Sequence, residues 1–291
     1  MEIGFLELAK VTVLVENTVY KRDLLAEHGL SLFIEVVTEK DDKFIFLFDA
    51  GQTAVPIINN VRSLEIPLEK IEYIVISHGH YDHTGGLTAV LEHIPHTVKV
   101  IGHEYMFEDK IYREKSGKIR KIGVPFKKED FDKMNARFIP IREPMVLTEG
   151  VGLITEIPVR YSFEINPKFI TVLKNGKEVP THIEDIALIL NLKKRGALVI
   201  TGCGHAGILN TIYYAKEFFN LKRIYGIMGG FHMINANKRR IDITISELEK
   251  NEISVIYPMH CTGPDAIRAL KDKYRKGKVV DSSVGSVIEY K

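Results

Sequence analysis

Residues Ile71 to Gly86 read IEYIVISHGHYDHTGG. The apolar, partly β-branched run Ile71 to Ile76 predicts a buried strand. Four metal-capable side chains follow it at once: His78, His80, Asp82 and His83. Gly79, Gly85 and Gly86 let the backbone turn sharply, and Thr84 is placed to cap a helix running from Leu87. Imidazole and carboxylate are the usual protein ligands of zinc and other first-row divalent ions. A loop leaving a strand end points His78 and His80 into one coordination sphere, and Asp82 and His83, past the bend, into a neighbouring one. One histidine in such a turn would be an ordinary polar surface group. Three, with an aspartate, between an apolar strand and a glycine pair predict a metal site.

Working outward, three more histidines fall where strands are expected to end. His205 sits in TGCGHAG, His232 follows Gly229, Gly230 and Phe231, and His260 sits in PMHCTG. The repeated order of strand, glycine-rich turn and helix argues for α/β layers, in which such loops gather on one sheet edge. His205 and His260 are therefore the natural remaining ligands. His232 reads as a substrate contact, because Gly229 and Gly230 expose backbone N–H groups suited to phosphate. Cys203 is either a ligand or a small buried residue. Asp49, at the end of the Phe44 to Phe48 strand, either caps the helix near Thr53 or accepts a hydrogen bond from a ligating imidazole. Arg160 either holds a phosphate or pairs with a surface acid. His93, His96 and His103 lie outside any ligand spacing.

The composition narrows the rest. The chain has 291 residues, 45% apolar and 27% charged, as expected of a soluble globular protein with a sizeable core. With 40 basic and 38 acidic residues, nothing in the charge balance calls for nucleic acid or an anionic membrane. Its apolar runs are strand-sized, no signal peptide is evident, and Cys203 and Cys261 cannot build a disulfide framework. These features predict a cytoplasmic protein, with room for a homo-oligomer. Abundant Lys, Glu and Ile with a single glutamine, Gln52, suggest a heat-adapted source. The stretch 104–149 is rich in Lys and Arg. It reads as a solvated insertion within one domain spanning 1–291, or as a lid whose cations attract a phosphorylated substrate.

SHGHYDHTGG resembles the H-x-H-x-D-H signature of the metallo-β-lactamase superfamily. That resemblance implies an αβ/βα sandwich of two mixed sheets flanked by helices, holding one or two divalent metals (Zn, Mn, Fe or Mg). It favours the second role for Asp49 and makes His260 the last ligand, so the implied set is His78, His80, Asp82, His83, His205 and His260. Asp185 and His182 stand where a third histidine motif falls in that fold. Where the fold usually has a bridging aspartate, this chain reads Gly202-Cys203-Gly204-His205. His80 replaces the glutamate of the redox di-iron branch, which points to Lewis-acid chemistry. EHGLSLFIE, LFDAGQT, EDIALIL, ITGCGHAGILNTI, GIMGGFH and YPMHCTG together resemble the dihydropteroate-synthase-like branch. Its archaeal members join a dihydropterin-6-methyl diphosphate to 4-(β-D-ribofuranosyl)aminobenzene 5′-phosphate in methanopterin biosynthesis. The resemblance thus implies a transferase, with His232 and Asp82 as catalytic groups and Gly229, Gly230, His232 and Arg160 binding substrate. The alternative is a hydrolase of a phosphoester, lactone or similar ester that uses hydroxide generated at the metal.

Overall fold

A computed structural model describes residues 1–169, 171–174 and 177–291. The strand Leu6–Val15 is its seam. It pairs antiparallel with Ser31–Thr38 along most of its length, but meets Ala187–Leu192 in parallel only at Leu6 and Leu192. The two expected sheets are thereby joined into one 14-stranded ladder. Their apolar faces share a central core that takes Val11, Ile34 and Phe46 from one half and Leu188, Leu198 and Met228 from the other.

Each half buries its outer face under helices. Ala187, Ile189, Val199 and Ile227 pack with the helices Ile208–Phe218, Lys238–Lys250 and Pro264–Lys273. Leu47, Ile74, Ile76 and Val100 pack with Ala54–Ser63 and Leu87–Glu92. Strands buried on both faces read as continuous apolar runs rather than alternating ones, which is why residues 186–190 and 197–200 look uniformly apolar. Burying each such side chain contributes about 1.5–3 kcal/mol.

Two parallel sets of strands aim their C-terminal ends at one place. Lys43–Phe48, Tyr73–Val75 and Val98–His103 run parallel in the first half. Gly196–Thr201, Ile224–Gly229 and Val255–Pro258 run parallel in the second. The halves touch there: the Ile186 N–H donates to the Ser77 carbonyl at 2.7 Å. A Cβ on Gly202 would lie 2.0 Å from Ser77 Oγ, so only glycine fits at this crossing.

The basic stretch 104–149 divides. Lys110–Arg113 and Ile119–Lys121 pair with each other, and the first also pairs with Thr171–Lys174, which pairs with Lys177–Pro180. These form a separate four-stranded sheet. Ala136–Ile141 instead extends the main sheet beside Val98–His103, and Met145–Thr148 pairs with Val151–Ile154. Short strands exposed on one face carry little apolar pattern, so the sequence did not separate the two parts. Thr84 also differs from expectation: its hydroxyl donates back to the His80 carbonyl at 2.9 Å, and Gly86 precedes the helix from Leu87.

The helix that follows the His205 loop starts at Gly207 without a cap from its own residue. Glu164 serves instead, accepting from Leu209 N at 3.1 Å and Asn210 N at 3.0 Å. Burial pushes its carboxyl up from 4.5 to about 7, against the pull of those N–H groups. The unfolded chain releases this proton near 4.5, the folded one near 7. Stability is therefore lost as pH climbs between those values, by an amount on the order of 3 kcal/mol. In Glu164→Gln that slope should flatten in urea unfolding curves recorded from pH 4 to 8. An unaltered slope would mean the carboxyl is not the group responsible.

Candidate metal centre

Asp49 orders the first half of the site. It ends the Lys43–Phe48 strand in a left-handed conformation, φ 61°, with its side chain fully buried. Ser77 donates to it twice, from its N–H and its hydroxyl, each at 2.7 Å. Because the hydroxyl proton is committed, Ser77 Oγ accepts from His78 Nδ1, 2.9 Å away. His83 Nδ1 donates to Asp49 Oδ2 at 2.6 Å. One carboxylate thus sets the tautomer of His83 directly and of His78 through Ser77, leaving both Nε2 atoms turned inward. Asp49 does not cap the next helix. Glu27 instead holds the turn ahead of that helix, accepting from Gln52 N, Thr53 N and the Thr53 hydroxyl.

The inward-facing atoms converge in two adjoining groups, and a further set, Cys203, His205 and His232, overlaps both. His78 Nε2 lies 3.0 Å from His80 Nδ1, which lies 3.2 Å from His205 Nε2. His83 Nε2 lies 3.3 Å from both Cys203 Sγ and His260 Nε2, and Asp82 Oδ2 stands 3.2 Å from His260 Nε2. Within each group every ligand atom is within 4.8 Å of the others, and all seven residues are buried. The donor sets, three imidazoles in one group and carboxylate, two imidazoles and a thiol in the other, fit a pair of transition-metal ions. His260 is held from behind: its Nδ1 meets Asn17 Oδ1 at 2.9 Å and its N–H donates to Glu16 at 2.8 Å.

The electrostatics suit cations. Burial holds His78 and His205 well below the ordinary imidazole value and His80 down to about 3, so all three keep the neutral form that binds metal. Burial acts the same way on His83, but the charges of Asp49 and Asp82 outweigh it and lift His83 to about 9. The same negative charges favour a cation at this position, and a metal bound to His83 would displace that proton. Burial alone would raise Asp82, yet the His83 charge and hydrogen bonds from His260 and His28 hold it well below the usual carboxylate range. Burial pushes the Cys203 thiol up, so a cation is what would make it a thiolate.

Several sequence expectations change here. Cys203, left open between ligand and buried residue, is buried and has its Sγ among the atoms that could hold a metal. Asp185 does not join them; its carboxylate accepts from Ala206 N at 2.6 Å and so braces the His205 loop. His182 is half-exposed and stacks on Tyr105, with ring centres 4.6 Å apart. Arg160 pairs with the surface acid Glu217. The Gly230 N–H is not free for phosphate, because it donates to the Gly202 carbonyl at 2.9 Å. These glycines serve close packing instead: a Cβ would come within 1.9 Å of the Thr201 carbonyl at Gly229 and 2.4 Å of the Gly202 carbonyl at Gly230. His232 is buried beside His205, ring centres 4.4 Å apart, and its Nδ1 has no hydrogen-bond partner.

Both ligand groups open into one cavity of about 280 Å³, which His232 also lines. Sequence reasoning missed His28, whose Nε2 lies 3.3 Å from Asp82 Oδ2 on the cavity wall. Its only signal is its place in EHGLSLFIE, one of the segments that carries the resemblance. Asn17 and Ser77 had none.

Residues 27–164 match the model of the metallo-β-lactamase superfamily. The chain is 30% identical over 280 residues to the 7,8-dihydropterin-6-methyl-4-(β-D-ribofuranosyl)-aminobenzene-5′-phosphate synthase of Methanocaldococcus jannaschii, covering 95% of each. The chain belongs to the metallo-β-lactamase superfamily. An uncharacterised protein of the same archaeon is 32% identical over 278 residues, covering 96% of this chain and 99% of its own. Among solved structures of the superfamily, a metal-dependent hydrolase superposes with a TM-score of 0.78 at 27% identity, covering 96% of this chain and 98% of its own. Superfamily membership implies divalent metal, and the two converging groups are where this chain would hold it.

Asp49→Asn cannot accept all three of its present hydrogen bonds. It should lower metal affinity by roughly 10- to 100-fold in chelator competition. His80→Ala should lose the ion of the three-imidazole group, and the exposed His93→Ala should keep the full metal content. Equal metal content in all three proteins would refute the assignment of ligands.

Proposed function

We propose that this chain is a metal-dependent transferase joining dihydropterin-6-methyl diphosphate to 4-(β-D-ribofuranosyl)aminobenzene 5′-phosphate. The observation that carries the reading is the similarity to the Methanocaldococcus synthase along nearly the whole chain, with both ligand groups in the similar region. In this reaction the arylamine nitrogen attacks the pterin methylene carbon, the C–O bond breaks, and diphosphate departs with the electron pair. Bound cations supply Lewis-acid stabilisation of the charge growing on the leaving oxygens. Imidazole and thiolate donors favour zinc or iron over magnesium, which prefers oxygen.

The chain's own groups have separable tasks. His232, with its unpartnered buried Nδ1 beside the cavity, is the group we assign to take the amine proton. Asp82 holds His28 and His260 in place at the cavity wall while facing the second ligand group. Phosphorylated small molecules are the partners in this reading. No helix among the described residues is long and apolar enough to cross a membrane. Cys203 and Cys261 are free thiols, which suits a reducing cytoplasm.

A second reading has its own support, since the structural relative at 27% identity is a metal-dependent hydrolase. The same ligands serve attack by water on an ester. The two readings separate in one assay of the metal-loaded protein with dihydropterin diphosphate. Under the transferase reading, diphosphate appears only when the arylamine is added, and His232→Ala lowers the rate by about 100-fold or more while metal content is kept. Diphosphate released by water alone would favour the hydrolase.

A further inference from the structure

The cavity has a second wall that takes no part in the metal groups. It comes from the separate four-stranded sheet. Tyr112 and Arg120 stand directly opposite each other across the antiparallel pair Lys110–Arg113 and Ile119–Lys121, so their side chains share one face, and both line the cavity. Phe169, from the short turn Pro167–Phe169, stacks on Tyr112 with ring centres 5.1 Å apart at 28°. The same ring lies 5.8 Å from the His205 ring at 29° and edge-on to His232 at 4.6 Å. A line of aromatic faces thus runs from Tyr112 to the histidines at the reacting centre.

Arg120 is the one lysine or arginine among the described residues that line this cavity. Its neighbours are differently engaged. Lys110 is buried against Glu184 and the carbonyls of Tyr105 and Met106, and Arg113 is tied to Glu178. Among the described residues, Arg120 has one acid within ion-pair reach, Glu114 at 3.7 Å, and its side chain stays 60% exposed. A guanidinium held at the mouth of a metal-lined cavity is suited to two-pronged contact with phosphate oxygens, and π faces behind it are suited to a flat ring.

We propose that Tyr112, Phe169 and Arg120 form the recognition face for a planar aromatic ring that carries a phosphate. The ring packs along Phe169 and Tyr112, and Arg120 grips the phosphate at the cavity mouth. This assigns the separate sheet as the element that selects the substrate, while the main sheet holds the metals. The inference deepens the transferase reading and rests on it for the two ring-bearing reactants that share this chemistry, the arylamine ribose phosphate and the dihydropterin diphosphate.

Equilibrium binding tests it without turnover. Metal-loaded protein is titrated with 4-(β-D-ribofuranosyl)aminobenzene 5′-phosphate, with the same riboside lacking phosphate, with dihydropterin diphosphate and with 6-hydroxymethyldihydropterin. Arg120→Met should weaken one phosphorylated ligand by roughly 10- to 100-fold and leave its phosphate-free counterpart unchanged, and Arg120→Lys should recover part of the loss. Whichever pair shows this identifies the reactant. Phe169→Leu should weaken both members of that pair alike, by about tenfold. Metal content and circular dichroism establish that each variant is folded and loaded. If Arg120→Met binds all four ligands as wild type does, or weakens both members of each pair equally, the inference is overturned. Turnover of wild type keeps the two readings apart. A protein that binds these phosphates through Arg120 but makes no condensed product retains the recognition face and loses the transferase reading. One that makes product with an unchanged KM in Arg120→Met does the reverse.

Discussion

Imidazole nitrogens that face one another at 3.0 to 3.3 Å inside a dry protein must share either a ring proton or a cation. His78, His80 and His205 are kept neutral by burial, so each ring carries a single proton and keeps one nitrogen lone pair able to bind a cation. Asp49 directs this arrangement: by accepting from His83 Nδ1 and tying up Ser77, it turns the Nε2 atoms of His83 and His78 toward the centre. Two layers of sheet and helix are arranged so that loops from both halves bring such groups together. The fold pays for a cation site in advance.

The backbone bears a share of that cost. Asp49, His232 and His260 all have positive φ, at 61°, 46° and 48°, where a branched or ring-bearing side chain is disfavoured by about 1–2 kcal/mol. Each stands just beyond the C-terminal end of a core strand, where the chain must leave the sheet and reverse. The strands behind them are buried on both faces, so the core holds these residues in conformations they would not choose. Of the three, His232 and His260 line the cavity, and backbone held this firmly helps to preorganise a site.

How much of this was legible depends on what each residue's local context says. His78, His80, Asp82 and His83 announce themselves, since metal-binding side chains two and three apart between a strand and a glycine pair have few other uses. His205 and His260 could be paired with them only because strand, glycine turn and helix recur and bring strand ends to one edge. Cys203 was ambiguous: a small thiol flanked by glycines reads as packing, and its place among the ligands comes from contacts across 120 residues of chain. Asn17, His28 and Ser77 contribute through partners that no local pattern reveals. Gly229 and Gly230 misled for a physical reason. Glycine before a histidine suggests exposed N–H groups, whereas here the missing Cβ lets two backbones touch. The short polar strands of the four-stranded sheet carry almost no hydrophobic period, so the element that walls the cavity was the least readable part of the chain.

That sheet is nonetheless tied to the metal loop by a buried ion pair. Lys110, on its first strand, lies 3.1 Å from Glu184, and Glu184 accepts from the N–H of Gly79 between His78 and His80 at 2.5 Å. Buried ion pairs add little net stability, because desolvation consumes most of the attraction, but losing one partner strands the other at a cost of about 3–5 kcal/mol. Lys110 also saturates its remaining donors on the carbonyls of Tyr105 and Met106, so it has no freedom to swing away. A Cβ at Gly79 would lie 2.0 Å from the Met106 carbonyl, so the loop and the base of the separate sheet are in contact with no room to slide. A bond whose net energy is small and whose geometry is inflexible is poorly suited to stabilising a fold and well suited to fixing distance. The wall bearing Tyr112 and Arg120 therefore stands at a set height above the ligand atoms, and a change at either end of the Lys110–Glu184 pair is felt in the position of His78 and His80.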